Sequence, residues 1–565
     1  MHRVLSLGAV GALLAACGST AVTPPVTDAS TDTPAVDVPI TDAPTDDVPV
    51  GDAPSGCTGE PANAPGLAAT DRGTVRGTVQ GDLAVYRGVP YAAPPVGDLR
   101  FRPPAPAACF TGTFSAADFG ARCPQLDESG APTGAEDCLS LNVWGPASPG
   151  SDRRPVMVFI HGGGNNQGAS DLVVGTTLLY DGTALANRGN VVVTINYRLG
   201  ALGFLAHPRL DAESSTNTSG NWALLDQVAA LQWVQRNIAA FGGDPSRVTL
   251  FGESAGGANV CSLIASPLAS GLFQRAIIES GGCVAAPRAA AVAVAEQLIT
   301  AAGCNAMPDP VACLRAKSPE EILRALPATV DGLTSPPFNT LVDGAVLPAP
   351  PAELIAMGRH NAVPLIVGTN SDETSRMIPG PLMVPTATAY EAAARRFLTQ
   401  AGANATQTEA ILRAWPASDF SSPWHALVAL TTDLRWTCPA RAMLRAVRAA
   451  QAPLAWRYYF TRGLDPASAP LLSRYGASHA LELPYVFGTL TAGGYNPTAA
   501  DAQVSDTLQT LWSRFAATGD PNPMGTLLWP AFDPTADTHL RVDAPTAVGM
   551  GVRTARCDAL AAALR

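Results

Sequence analysis

The sequence predicts an α/β protein whose mostly parallel sheet is covered on both faces by helices. Three observations predict it. Runs of consecutive apolar residues recur, a stretch of helical period lies between two of them, and one run ends in a glycine-flanked turn. In chain order, "RPVMVFIHGGG" (154–164) gives a strand ending near His161, and "NVVVTINYRLG" (190–200) gives a second ending near Tyr197. Leu224, Val228, Leu231, Val234 and Ile238 then recur at spacings of three and four, which marks a helix. "RVTLF" (247–251), "RAIIES" (275–280) and "VPLIVGTN" (363–370) supply a third, fourth and fifth strand. Runs without polar alternation belong to strands buried on both faces. In such sheets functional groups gather at the carboxyl ends of the strands.

Composition bounds the rest. With 565 residues, 47% of them hydrophobic and 15% charged, the chain can bury a large core. Its first 56 residues stand apart. "MHRVLSLGAVGALLAAC" has a short basic start and an apolar stretch from Val4 to Ala16, too short to span a bilayer and of the length of a signal h-region. "LAAC" resembles a bacterial lipobox, which implies a signal peptide over 1–16 and lipidation of Cys17; ordinary secretion with cleavage nearby is the alternative. Either way the protein is exported, and a lipid would anchor it without spanning the membrane. Over 17–56 the composition collapses to Thr, Asp, Pro, Ala and Val, which cannot build a core and reads as a disordered, extended tether. Residues 57–565 form the folded body.

A net charge of −11 without a basic cluster argues against nucleic acid as a partner. Lys317 is the only lysine, so Schiff-base chemistry would rest on that one residue. Ten cysteines follow Cys17 and fit an oxidising setting. None has CxxC spacing and no histidine cluster lies near them, so no metal site is expected.

Gly252-Glu253-Ser254-Ala255-Gly256 fits G-x-S-x-G between a strand and a helix. The turn should thrust Ser254 Oγ into the open, and the following helix should aim its first N–H groups at developing negative charge. A serine hydroxyl needs a base. Of the seven histidines, His2 falls in the signal segment, and His161 and His207 precede Ser254. The order in this architecture is serine, acid, histidine, which leaves His360, His425, His479 and His539. His479 lies in "YGASHALELPYVFG", a Gly/Ser-containing loop entering an apolar segment. For the acid, "VPLIVGTNSDET" offers Asp372 and Glu373 after a strand, and local chemistry does not choose between them.

Together, "EDCLSLNVW", "FIHGGGNNQG", "VVVTINYRLGALGFL", "GNWALLDQVAALQWVQRNIAAFGGDPSRVTLFGESAGG", "GTNSDE" and "SHALELPYVFG" resemble the type-B carboxylesterases, the carboxylesterase/cholinesterase family. The resemblance runs from about Leu67 to the C-terminus. It implies an α/β-hydrolase fold with long loop insertions over a catalytic domain at 57–565, and a serine carboxylesterase that needs no cofactor and acts on a small-molecule ester. Carried over residue by residue, it makes Ser254 the nucleophile, Glu373 the acid and His479 the base. It also puts Gly163, Gly164 and Ala255 in an oxyanion hole and Glu253, Ser280 and Glu482 in a polar network around the histidine. The resemblance further implies disulfides Cys123–Cys138, Cys304–Cys313 and Cys438–Cys557. Pairing Cys57 with Cys109 and Cys261 with Cys283 would complete five by arithmetic alone, with a buried free thiol at Cys261 as the alternative.

Cholinesterases meet a quaternary ammonium with a tryptophan in a disulfide-closed loop. The loop from Cys123 to Cys138 has no aromatic residue, and Thr334 and Pro336 align with aromatic acyl-pocket positions of cholinesterases. Neutral esters of short to medium acyl length are therefore expected, with Trp424 as a possible substitute aromatic. Two alternatives remain: a binding or adhesion module that has lost catalysis, and the same mechanism on a lactone, carbamate or amide. Oligomeric state is not legible.

Overall fold

The computed structural model describes residue 57 and residues 64–327, 337–523 and 529–564. The expected signal peptide, Cys17, the whole of the tether, and Thr334 and Pro336 lie outside the described residues.

One sheet of eleven strands organises the chain. In sequence order the strands are β1 (Thr78–Gln80), β2 (Leu83–Pro90), β3 (Ser140–Pro146), β4 (Arg154–Ile160), β5 (Val191–Ile195), β6 (Gly243–Glu253), β7 (Arg275–Glu279), β8 (Leu365–Asn370), β9 (Ala455–Phe460), β10 (Thr538–Val542) and β11 (Ala547–Met550). Their order across the sheet is β11-β10-β9-β8-β7-β6-β4-β5-β3-β2-β1. β5, β4, β6, β7, β8, β9 and β10 are mutually parallel, while β3, β2 and β1 extend one edge antiparallel and β11 caps the other. The five strands expected from sequence are thus the centre of the sheet.

Alternation explains why the central strands read as unbroken apolar runs. Val156, Val158 and Ile160 of β4 enter one core, and Met157 and Phe159 enter the other. β7 repeats this with Ala276 and Ile278 against Ile277, and β8 with Leu365 and Val367 against Ile366. Successive side chains point to opposite faces, and both faces are dry. Helix α1 (Trp222–Asn237), which covers the helical period read from sequence, and α2 (Ala255–Ala265) bury Leu224, Val228, Leu231, Val260 and Leu263 in the first core. The second core is closed by α5 (Ala499–Thr518), through Leu508, Leu511, Trp512 and Phe515. A third cluster, carrying α3 (Pro423–Thr432), encloses the disulfide between Cys438, at the start of α4 (Cys438–Ala450), and Cys557.

All five disulfides form: Cys57–Cys109, Cys123–Cys138, Cys261–Cys283, Cys304–Cys313 and Cys438–Cys557. The free-thiol alternative for Cys261 is therefore wrong. α2 presents that sulfur to the segment leaving β7, where Cys283 meets it. Five disulfides mark an exported protein. Among the described residues no helix is long and apolar enough to cross a membrane.

Candidate active site

Ser254 occupies the carboxyl end of β6 with φ 57° and ψ −123°, a left-handed value that costs a residue with a β-carbon about 1–3 kcal/mol. Its neighbours hold it there. The Ser254 N–H donates to the Glu279 carbonyl on β7 at 2.9 Å, and its own carbonyl accepts the Ala258 N–H at 2.9 Å. A β-carbon at Gly256 would fall 2.0 Å from the Ile160 carbonyl oxygen, and one at Gly252 would fall 2.7 Å from the Gly256 carbonyl. Backbone fills both spaces, so glycine is required at each. Ser254 stays half-buried while the residues on either side are buried.

The strip after β4 closes against this turn. A β-carbon on Gly162 would lie 3.0 Å from Ser254 Cβ and 2.8 Å from Glu253 Oε2. Gly163 and Gly164 take φ +105° and +64°, and the Gly163 carbonyl accepts the N–H groups of Asn166 and Gln167. Among the described residues the Gly163 and Gly164 N–H groups have no protein acceptor. Ala255 opens α2 and so has no acceptor inside that helix. His161 stacks on Tyr197 at 4.4 Å, and burial pulls it down to about 4, which keeps it neutral.

The loop after β9 delivers His479. Its Nδ1 bonds Glu373 Oε2 at 2.6 Å, and its backbone N–H donates to the Glu373 carbonyl at 3.2 Å. Glu373 is fully buried just past β8, where its Oε1 accepts Ser280 Oγ and the Asn370 N–H, both at 2.7 Å. Asp372 turns elsewhere, its Oδ2 accepting Ser371 Oγ at 2.6 Å and the Ala477 N–H at 3.2 Å. On the other side of the imidazole, Nε2 stands 3.1 Å from Glu253 Oε1, on the residue preceding Ser254. Glu482 accepts a hydrogen bond from the Asn370 side-chain amide, which also donates to the Ser478 carbonyl.

Three glutamates, Glu253, Glu373 and Glu482, are thus buried around one histidine, and a fourth buried glutamate, Glu279, adjoins Glu253 and Glu482. Burial pushes the Glu253 carboxyl up, and the Glu482 and Glu373 charges push it further against the pull of His479. Glu482 rises to about 7, through burial and then Glu373. Glu279 rises well above the carboxylate range through burial and Glu482, although Trp512 Nε1 donates to its Oε1 at 2.7 Å. Burial pulls His479 down, but Glu253, Glu373 and the Nδ1 bond outweigh it and hold the imidazole at about 9. Both the Glu253 carboxyl and the imidazole are thereby shifted toward their protonated forms.

Ser254, His479 and Glu373 sit at the ends of β6, the β9 loop and β8. Ser280 and Glu482 join them, and Glu253 touches the imidazole directly. His360 bonds Gln451, His425 bonds Ser422, and His539 lies against Gly549, all away from this cluster. Trp424 donates to the Pro379 carbonyl within the third cluster. The aromatic beside the histidine is Trp436, 5.3 Å from its ring. Sequence reasoning missed Trp436 because it lies in a π-helical turn, Asp433–Thr437, with no readable period. It missed Glu279 because a glutamate ending an apolar strand looks like the strand's exit. Among the described residues no group of His, Cys, Asp and Glu could hold a metal ion.

A family model described as "Carboxylesterase family" matches residues 65–560. Similar proteins include fumonisin B1 esterase of Sphingopyxis macrogoltabida, 37% identical over 482 residues, which are 82% of this chain and 84% of that protein. Para-nitrobenzyl esterase of Bacillus subtilis (strain 168) is 36% identical over 481 residues, 82% of this chain and 92% of the relative. A solved PNB esterase superposes with a TM-score of 0.74 at 34% identity, covering 87% of this chain and 99% of that one.

Proposed function

This chain belongs to the carboxylesterase family and is a carboxylic ester hydrolase, and we propose that it acts through a Ser254–His479–Glu373 triad and an acyl-enzyme. The observation that carries this reading is the run of contacts from Glu373 to His479 to Glu253, because Glu253 is bonded covalently to Ser254. With Nδ1–H committed to Glu373, the imidazole holds one tautomer and offers Nε2 to the serine. Nε2 takes the Ser254 proton as Oγ attacks the ester carbonyl. The N–H groups of Gly163, Gly164 and Ala255 receive the oxyanion. His479 then gives its proton to the departing alcohol, leaving an acyl-serine. Water attacks that ester under the same base and releases the acid. Ser280, Asn370 and Glu482 position the acid and the loop.

Neutral esters of short to medium acyl length suit the site better than choline esters. The Arg435 guanidinium already lies 5.1 Å from the centroid of Trp436, the ring nearest His479, so a second cation meets repulsion there. A relative named for para-nitrobenzyl esters makes a nitrophenyl or nitrobenzyl ester the first substrate to try. Ser254→Ala is expected to abolish its hydrolysis while circular dichroism and melting stay unchanged; near-normal turnover by that variant would refute the triad.

We also propose that residues 1–16 are removed as a signal peptide, that Cys17 is lipidated, and that 17–56 tether the catalytic domain at 57–565 to a membrane. Detergent-phase partition that Cys17→Ala abolishes is expected; unchanged partition would leave the lipid without support.

A further inference from the structure

His479 also lines a cavity of about 270 Å³. At about 30 Å³ for each water-sized group, that volume holds an arm of roughly eight or nine heavy atoms. Its walls are apolar, with Leu464, Leu472, Leu481 and Leu490 prominent among them. No aspartate, glutamate or lysine is among its lining residues, and its one arginine is Arg376. Arg376 follows Glu373 in a single 3₁₀ turn, so the segment that supplies the acid also brings the guanidinium to the cavity. The guanidinium lies 5.6 Å from the Tyr475 ring centroid, and among the described residues no carboxylate lies within salt-bridge reach of it. Elsewhere in the molecule, buried Arg198 and Arg441 are paired with Asp226 and Asp537, whereas buried Arg457, like Arg376, has no carboxylate within salt-bridge reach among the described residues. A half-buried cation in an apolar pocket pays a desolvation cost that an incoming anion offsets.

We propose that this cavity takes one arm of the ester and that Arg376 selects an arm ending in a carboxylate on an aliphatic chain. The proposal rests on the serine-esterase reading above, since the cavity matters to catalysis only if His479 is the base. Burial lowers Arg376 only to about 10, so it remains cationic at neutral pH. The carboxylate could sit on either arm. Hemiesters of a diacid carry it on the acyl side, and esters of a hydroxy acid carry it on the alcohol side.

The test compares each anionic ester with its uncharged methyl ester. 4-Nitrophenyl hydrogen suberate serves the acyl arm and 8-acetoxyoctanoate the alcohol arm. In the native protein one anionic ester should show the higher kcat/KM of its pair, which identifies the arm. Arg376→Gln should lower that ratio about 10- to 100-fold, the usual worth of a charged hydrogen bond, and Arg376→Lys should restore part of it. Ratios at or below one in both pairs, or a ratio unmoved by Arg376→Gln, would overturn the proposal. Should no ester be cut by the native protein, the serine-esterase reading falls instead. Calorimetry with octanoate against octanamide then decides the role of Arg376. Tighter octanoate binding that Arg376→Gln abolishes upholds it, and equal binding overturns it.

Discussion

His479 has two contrasting surroundings. Around its nitrogens crowd buried carboxylates, Glu373 on Nδ1 and Glu253 on Nε2, with Glu482 and Glu279 behind them. The cavity it lines is mostly apolar and carries one arginine, Arg376, and no carboxylate. The first environment governs where a proton sits; the second governs what can lie beside the histidine. Changes to the carboxylates should therefore move kcat and its pH dependence, while changes to the cavity walls should move selectivity between substrates.

The sharpest way to break this division is Glu373→Gln. A neutral amide cannot stabilise the imidazolium, and kcat is expected to fall about 10⁴-fold with KM little changed; a loss residing mainly in KM would erase the distinction. Next is Glu253→Gln. Glu253 holds the His479 proton on, so its removal should lower the imidazole pKa. The rising alkaline limb of kcat/KM should then move toward acid by about one pH unit or more. A limb that stays in place would show that Glu253 does not govern the proton. On the cavity side, Leu472→Trp should fill space and lower kcat/KM for octanoyl esters about tenfold relative to acetyl esters. An equal loss for both chain lengths would mean that the cavity does not hold the arm.

The smallest effect concerns stability. The folded-state pKa of Glu279 is raised, so folding binds its proton, and the contribution is full below the unfolded value and lost as pH rises toward the folded one. Glu279→Gln mimics the protonated acid and keeps an acceptor for Trp512. Its melting midpoint should exceed that of the native protein by about 2–4 °C at pH 8.5 and match it near pH 4. The opposite order would place an ionised, well-paired carboxylate at 279.

What was legible in the sequence is what local geometry dictates. The central strands announce themselves because both faces bury every residue, and the turn at Ser254 because Gly252 and Gly256 each have backbone where a side chain would go. β9, with its aromatic and polar mixture "AWRYYF", and the antiparallel strands β2 and β3 were not read, since they lack that unbroken apolar signature. The choice between Asp372 and Glu373 depends on direction. Adjacent residues at a strand exit point apart, and Ser371 and Ala477 claim the aspartate. Arg376 was invisible because its significance lies in partners it lacks, and a sequence shows no such vacancy.

The Cys261–Cys283 bond stitches the helix that begins just past Ser254 to the segment just past Ser280. The two strand ends that carry Ser254 and Ser280 are thereby fastened to each other covalently. The stiffness of that platform is consequently a property of the compartment: where thiols are kept reduced the fastening is absent, and where they are oxidised the platform is locked. Maturation of the hydrolase is in this sense completed by the redox state of its destination.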